Sequence, residues 1–220
     1  MIVSINQSSY LPWLGAFDRI QKSDLAIVLD HVPMSKDAVT NRNKIRTPDG
    51  FQLLSVPIKN RGGNVPIFDI EIADDRHWKH KHLKALQTNY ARAPYYRRHI
   101  NFFEEIYNRE WHCLADLNDA ITEYILDQWR IKTTMVKSSS MEARGTKSDL
   151  NLNLCLEAGA TTYLSGPFGR DYLDVAKFNL HGVEVVFQDY AHPVYNQCWP
   201  GEFVPYMSAV DALFNCERMP

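Results

Sequence analysis

The sequence predicts an α/β fold: a largely parallel, twisted sheet with flanking helices and a mid-chain helical insertion. Three observations predict it. The short apolar runs Ile2 to Ile5, Leu25 to Leu29 and Val183 to Phe187 have the length and composition of buried strands. Stretches with helical spacing separate such runs, giving the alternation of a parallel sheet. From His77 to about Arg130 the apolar pattern is helical throughout. With 220 residues, 45% of them apolar and 12% aromatic, the simplest division is one α/β domain over 1–220, with 77–130 as a helical insertion or lid.

Each element follows in order. Ile2 to Ile5 is the first strand. Leu14, Phe17 and Ile20 recur every three residues and mark a short helix before the strand LAIVL, which ends at Asp30. Strand, helix and strand form a βαβ unit, whose ligand sites lie beyond the carboxyl ends of the strands. The NQSSYLPW loop and Asp30-His31 both fall at that edge. His31 to Gly50 reads as polar and irregular, closed by a Pro-Asp-Gly turn. Phe51 to Ile58 is a strand, Arg61-Gly62-Gly63-Asn64 a turn, and Phe68 to Ile72 alternates like a half-exposed strand.

Three helical stripes come next: Trp78, Ala85, Leu86 and Tyr90; Tyr95, Ile100, Phe103 and Tyr107; Leu114, Leu117, Ile121, Ile125 and Leu126. Thr133 to Val136 is β-like, and Ser138 to Ser140 is a loop. Ser148 to Glu157 is a helix stopped by Gly159, and Thr161 to Leu164 a strand ending in Ser165-Gly166. Asp171 to Asn179 is a helix stopped by Gly182. After Phe187 the tail is loop, then a short helix from Ser208 to Phe214.

Composition narrows the function. A net charge of −2 with eight histidines creates no field for a nucleic-acid backbone or an anionic membrane. No apolar run is long enough to span a bilayer, and an export signal is not expected. The four cysteines have no CxxC spacing and are expected to be free thiols, which points to a cytoplasmic protein.

Four segments concentrate ligand-type side chains. In NQSSYLPWLGAF, Gln7 and Tyr10 offer polar groups, Trp13 an apolar wall, and Gly15 a close approach at a helix start. A plain connector needs only a few turn residues. NRNKIR places Asn41, Arg42, Asn43 and Lys44 in succession, groups that hold carboxylate or phosphate, or that decorate a solvated loop. Ser165-Gly166 sits at a strand-to-helix junction, where backbone amides bind an anion or cap the helix. From Gln188 to Gln197, a histidine, two tyrosines and several amides crowd one segment. His192 lies just past a core strand among polar partners, which makes it the candidate general base. Tyr195 and Gln197 lie beside it.

Other chemistries are poorly matched. In HWKHKH, His77 and His80 share a helix face, but His82 is about 200° round from His80. No metal or cofactor is therefore expected. There is no GxSxG elbow and no phosphate-loop glycine pattern.

Taken together the segments resemble the WbqC-like protein family. The opening word is Gln7-Ser8-Ser9-Tyr10-Leu11-Pro12-Trp13-Leu14-Gly15-Ala16-Phe17. Asp24, Asp30 and Asn41-Arg42-Asn43-Lys44-Ile45 follow, then Pro57. Later come Tyr163-Leu164-Ser165-Gly166, Tyr172, His192-Pro193-Val194-Tyr195-Asn196-Gln197, and Ser208 to Asn215. Ser8 departs from the family's proline, and Cys216 from its usual glycine. The resemblance implies a transferase from bacterial surface-polysaccharide or natural-product gene clusters, attaching an acyl or aminoacyl group to an amino sugar or similar acceptor.

On this reading His192 deprotonates the acceptor, oriented by Asp30 or Asp211. Asn41 to Lys44 hold an anionic part of a substrate, and amides near Ser165-Gly166 receive the oxyanion. Gln7, Tyr10, Trp13, Tyr172, Gln188, Tyr195, Gln197 and Asn215 complete the substrate-binding set. The partners are a small-molecule acceptor and an acyl or aminoacyl donor, free or carrier-protein-bound. Two alternatives stay open: a nucleotidyl transferase, by fold analogy but without the histidine pair those enzymes use, and a non-catalytic sugar-nucleotide or carrier-protein binding module.

Overall fold

A computed structural model describes residues 1–34, 39–59, 64–73 and 76–220. The chain forms two compact units. The first comprises Met1–Ser8, Gly15–Val32 and Ile131–Ala191; the second comprises Ser9–Leu14, Pro33–Arg130 and His192–Pro220. The expected turn at Arg61-Gly62-Gly63-Asn64 falls mostly outside the described residues.

The first unit is built on five parallel strands: β1 (Ile2–Gln7), β2 (Leu25–Leu29), β5 (Thr134–Lys137), β6 (Thr162–Ser165) and β7 (Glu184–Phe187). Their order is β5-β2-β1-β6-β7, so the α/β class holds. β1 lies centrally, Val3 pairing with Leu25 on one side and Tyr163 on the other. Helices α1 (Leu14–Gln21), α5 (Lys147–Glu157) and α6 (Val175–Leu180) connect the strands. The core gathers Val3, Ile5, Ile27, Leu150, Leu154, Tyr163 and Phe178. These are the apolar positions that drive burial of both sheet faces.

The second unit contains the hairpin β3 (Arg42–Thr47) and β4 (Gly50–Ser55), then α2 (Arg76–Tyr90), α3 (Tyr96–Asn108), α4 (Leu114–Gln128) and the late helix α7 (Ala209–Asn215). Aromatic rings fill its centre: Phe214 stacks on Tyr90 at 5.0 Å and meets Phe103 at 5.6 Å. Among the described residues, no helix is long and apolar enough to cross a membrane.

Several elements differ from expectation. Arg42 to Thr47 is a strand, not irregular chain. Asn43 and Ile45 point inward, and the amide of Asn43 is satisfied there by donating to the Leu11 carbonyl at 2.6 Å. A polar residue in an inward position hides the period-two pattern. Phe68 to Ile72 is not a continuous strand. A 3₁₀ turn over Ile67–Asp69 is followed by single bridges from Glu71 to Cys113 and from Ile72 to Ile58. Ser138–Ser140 is a 3₁₀ turn. The helix expected over Asp171 to Asn179 is two pieces, because Pro167 opens a 3₁₀ turn and Asp174 caps α6 by accepting from Lys177 N–H at 3.1 Å.

The segment Ser9–Leu14 is a folded part of the second unit. Tyr10 N–H donates to the Thr40 carbonyl at 3.0 Å, and the Pro12 carbonyl accepts from Ala209 N–H at 2.8 Å. Leu11 is fully buried with φ of 47°, a conformation that a non-glycine residue adopts only when its surroundings impose it. The Tyr10 hydroxyl, also fully buried, meets Nδ1 of His82 at 2.7 Å and the Tyr107 hydroxyl at 2.5 Å. Tyr10→Phe removes both bonds and leaves two buried polar groups short of a partner. It should lower unfolding free energy by about 1–3 kcal/mol in a urea titration.

Candidate functional site

The carboxyl edge of the parallel sheet carries a chain of three side chains. Asp30, immediately after β2, is buried. Its Oδ1 accepts from the Ser138 hydroxyl at 2.9 Å and from Ser139 N–H at 2.8 Å; its Oδ2 accepts from the Ser139 hydroxyl at 2.7 Å. The Ser138 oxygen in turn accepts from Asp30 N–H at 3.0 Å and lies 2.6 Å from Nδ1 of His31. Ser138 has one O–H, and the carboxylate takes it. Nδ1 of His31 must therefore carry the proton it shares with Ser138, which leaves Nε2 with a lone pair. The sequence supplies these groups by ending two neighbouring strands, β2 and β5, in polar residues.

Burial pushes the pKa of the half-exposed His31 down, opposed by the Asp30 charge and reinforced by Arg144. The imidazole is thus neutral at pH 7 and competent as a base. Sequence reasoning placed Asp30-His31 at this edge but missed Ser138 and the link it makes. The signal was a serine at the end of a neighbouring predicted strand.

Other expected residues of the first unit line the ends of the same sheet. Gln7 is half-buried opposite Leu29. Ser165 ends β6, buried, its hydroxyl donating to the Gly166 carbonyl at 3.1 Å. Gly169 is required nearby: a Cβ there would lie 2.1 Å from the Ser165 oxygen. Tyr172 is exposed, and its hydroxyl accepts from Asn151 at 3.1 Å. Gln188 follows β7, its amide donating to the Gly15 carbonyl at 2.8 Å and to Asp18 at 2.7 Å. It also accepts from Arg19 at 2.6 Å.

The remaining expected residues belong to the second unit. Asp211, fully buried on α7, is a hub. It accepts from the hydroxyls of Tyr90 at 2.9 Å and Tyr195 at 2.7 Å, and from the Gln197 amide at 2.9 Å. Burial raises its pKa, and these donors with nearby Arg46 oppose the rise. Asn215 donates to the Asp211 carbonyl at 2.8 Å. This network fastens the C-terminal tail to α2 and α7, a structural task. Sequence reasoning missed Tyr90 and Arg46, which lay inside a helical stripe and a basic run.

Nδ1 of His192 meets the Pro193 carbonyl at 2.9 Å, and its ring packs against Phe203 at 5.6 Å and Tyr206 at 5.2 Å. Trp13 lies 6.2 Å from Tyr206. Asn41 and Asn43 hold backbone: the first donates to the Val56 carbonyl at 2.9 Å, the second to Leu11. Arg42 is half-buried on β3, and Lys44 places its ammonium 4.5 Å from the Phe51 ring centroid. Tyr10, expected to reach substrate, is instead a wholly buried frame residue.

Of HWKHKH, His77 and His80 are exposed and His82 is buried. His82 borders a cleft of about 290 Å³ with Gln52, Ser55, Pro57, Trp78 and Lys81. Among the described residues, no group of three or more His, Cys, Asp or Glu side chains is placed to hold a metal ion.

Fold and edge chemistry define a doubly wound α/β protein with a polar carboxyl edge, the class of architecture that binds small ligands at its strand ends. The chain matches the WbqC-like protein family over residues 7–219, and it belongs to that family. It is 34% identical over 215 residues, covering 97% of this chain and 93% of the relative, to a Mycobacterium tuberculosis (strain ATCC 25618 / H37Rv) protein named "Uncharacterized protein Rv1507c". No solved structure matches.

Burial also governs acid stability in the second unit. It pushes His82 and His99 down to about 4 each, with Arg98 adding to the shift of His99. Both are less basic folded than unfolded, so below about pH 6.5 the unfolded chain takes up protons the native chain refuses. Stability should be full above pH 6.5 and decline down to about pH 4. Urea titrations across that range check the slope, which His82→Gln with His99→Gln should flatten.

Proposed function

We propose that the protein is a transferase attaching an acyl or aminoacyl group to an amine or hydroxyl acceptor, an amino sugar or similar compound, in bacterial surface-polysaccharide or natural-product biosynthesis. The observation that carries this reading is the hydrogen-bonded series from Asp30 through Ser138 to His31. It supplies an oriented neutral base at the edge of a parallel sheet, where ligands of such folds sit. His31 takes the place first assigned to His192. The Nδ1 of His192 meets a neutral peptide carbonyl, whereas His31 leads through a hydroxyl to a carboxylate that steadies the imidazolium.

In the reaction, Nε2 of His31 removes a proton from the acceptor as its nitrogen or oxygen attacks the donor carbonyl carbon. The bond to the acceptor forms, the bond to the leaving group breaks, and the imidazolium returns the proton to the leaving group. Asp30 and Ser138 are positioning residues. The strand-order reversal beside β1 also favours a second reading, nucleotidyl transfer. The products separate the two: nucleotidyl transfer releases pyrophosphate, and acyl transfer from a thioester releases a thiol. A binding module returns the donor unchanged.

Mass spectrometry of amino-sugar acceptors incubated with acyl and aminoacyl thioesters should find the condensed product with wild-type protein. His31→Gln should lose about 100-fold or more in kcat while keeping the fold. The acid limb of the kcat/KM profile should fall below pH 6.5, and Ser138→Ala should move it lower, because the imidazolium loses its tie to Asp30. Full turnover by His31→Gln overturns the base assignment.

A further inference from the structure

The strand order β5-β2-β1-β6-β7 reverses between β1 and β6. In open parallel sheets the crevice at such a reversal is where ligands enter. A guanidinium stands there. Arg19, on α1, donates from Nε at 2.8 Å and from Nη2 at 2.5 Å to Oδ1 of Asn6, in β1, and from Nη1 at 2.6 Å to Oε1 of Gln188, just past β7. Gly166, just past β6, lies against it: a Cβ at Gly166 would sit 3.0 Å from Arg19 Nη1. The side chain therefore crosses the ends of three strands.

The groups that accept hydrogen bonds from Arg19 are neutral. Asn6 and Gln188 are both buried amides, and each is fixed by its own donation, to Ser4 at 3.3 Å and to Gly15 at 2.8 Å respectively. Asp18, the neighbouring carboxylate, is paired with Lys22 at 2.9 Å and accepts from Gln188. Three of the five guanidinium N–H groups are engaged by Asn6 and Gln188, which leaves two. Tyr163, Asp18 and Tyr172 act electrostatically on the guanidinium, and the Asp18 carboxylate is shared with Lys22. The Tyr172 hydroxyl accepts from Asn151 and retains its own O–H to donate. A half-buried cation whose hydrogen bonds all go to uncharged acceptors, with its neighbouring carboxylate shared with Lys22, gains from a further anion.

We propose that Arg19, framed by Asn6, Gly166 and Gln188, is a subsite for a phosphate group of the substrate, of the kind a nucleoside diphosphate carries. The planar fork presents paired donors to two phosphate oxygens, the geometry in which arginine surpasses lysine. This stands apart from the acyl-transfer reading, since its readout is binding alone.

Intact protein is titrated with inorganic phosphate, pyrophosphate, uridine diphosphate and acetate while the side-chain Nε–H signals of arginine are followed by NMR. Pyrophosphate or uridine diphosphate should shift the Arg19 signal, with acetate weaker. Arg19→Gln should weaken binding by about tenfold or more, and Arg19→Lys should only partly restore it. Tighter binding of uridine diphosphate than of pyrophosphate identifies a nucleotide, and equal binding a bare diphosphate. An unmoved Arg19 signal at millimolar pyrophosphate and uridine diphosphate, or equal affinity in a folded Arg19→Gln, overturns the proposal. The NMR signal decides it even where the variants fail to fold.

Discussion

The pairing of β1 on both sides, in parallel, is the constraint on which the first unit depends. Its register with β2 and β6 brings three strands to a common edge, and β5 and β7 continue that alignment outward. Each strand then ends in a polar residue or is followed at once by one: Gln7, Asp30, Ser138, Ser165, Gln188. Slipping β1 by one residue would exchange its two buried faces, moving Val3 and Ile5 to the side that holds Ser4 and Asn6. The Asp30–Ser138–His31 series exists because β2 and β5 are neighbours in space while their sequences are far apart. Chemistry at this edge is a by-product of register.

The second unit rests on buried polar hubs. Asp211 gathers Tyr90, Tyr195 and Gln197, and Tyr10 gathers His82 and Tyr107. An apolar core of the same size would pack in many arrangements, whereas satisfied polar networks admit few. Both hubs join segments distant in sequence: a stretch near the N-terminus, the central helices and the tail. Arg46 adds to the Asp211 hub by donating its backbone N–H to the Tyr90 hydroxyl at 2.9 Å.

Much of this was legible in the sequence. The apolar runs at Ile2, Leu25 and Val183 marked strands, and the stripes from Trp78 to Leu126 marked three helices, because burial and periodicity are local properties. Arg42 to Thr47 escaped detection because Asn43 occupies a buried strand position only by bonding Leu11. Of the site, the strand-end positions of Asp30, Ser165 and Gln188 were legible. Arg19 was not singled out, because its partners Asn6 and Gln188 lie far from it in sequence, and the role of Ser138 depended on which strand lies beside β2. Tyr10 read as a ligand residue because its partners, His82 and Tyr107, lie in helices that sequence spacing cannot bring to it.

The pairing of Ile2 with Thr162 has a consequence for biosynthesis. β1 and β2 leave the ribosome early, yet β1 has an unpartnered side until most of the chain has been made. At ordinary elongation rates that wait is on the order of ten seconds. During it the nascent sheet presents a naked edge beside an apolar face, the form most open to mispairing between chains. The strand order thus sets the interval through which that edge has to be kept from other chains.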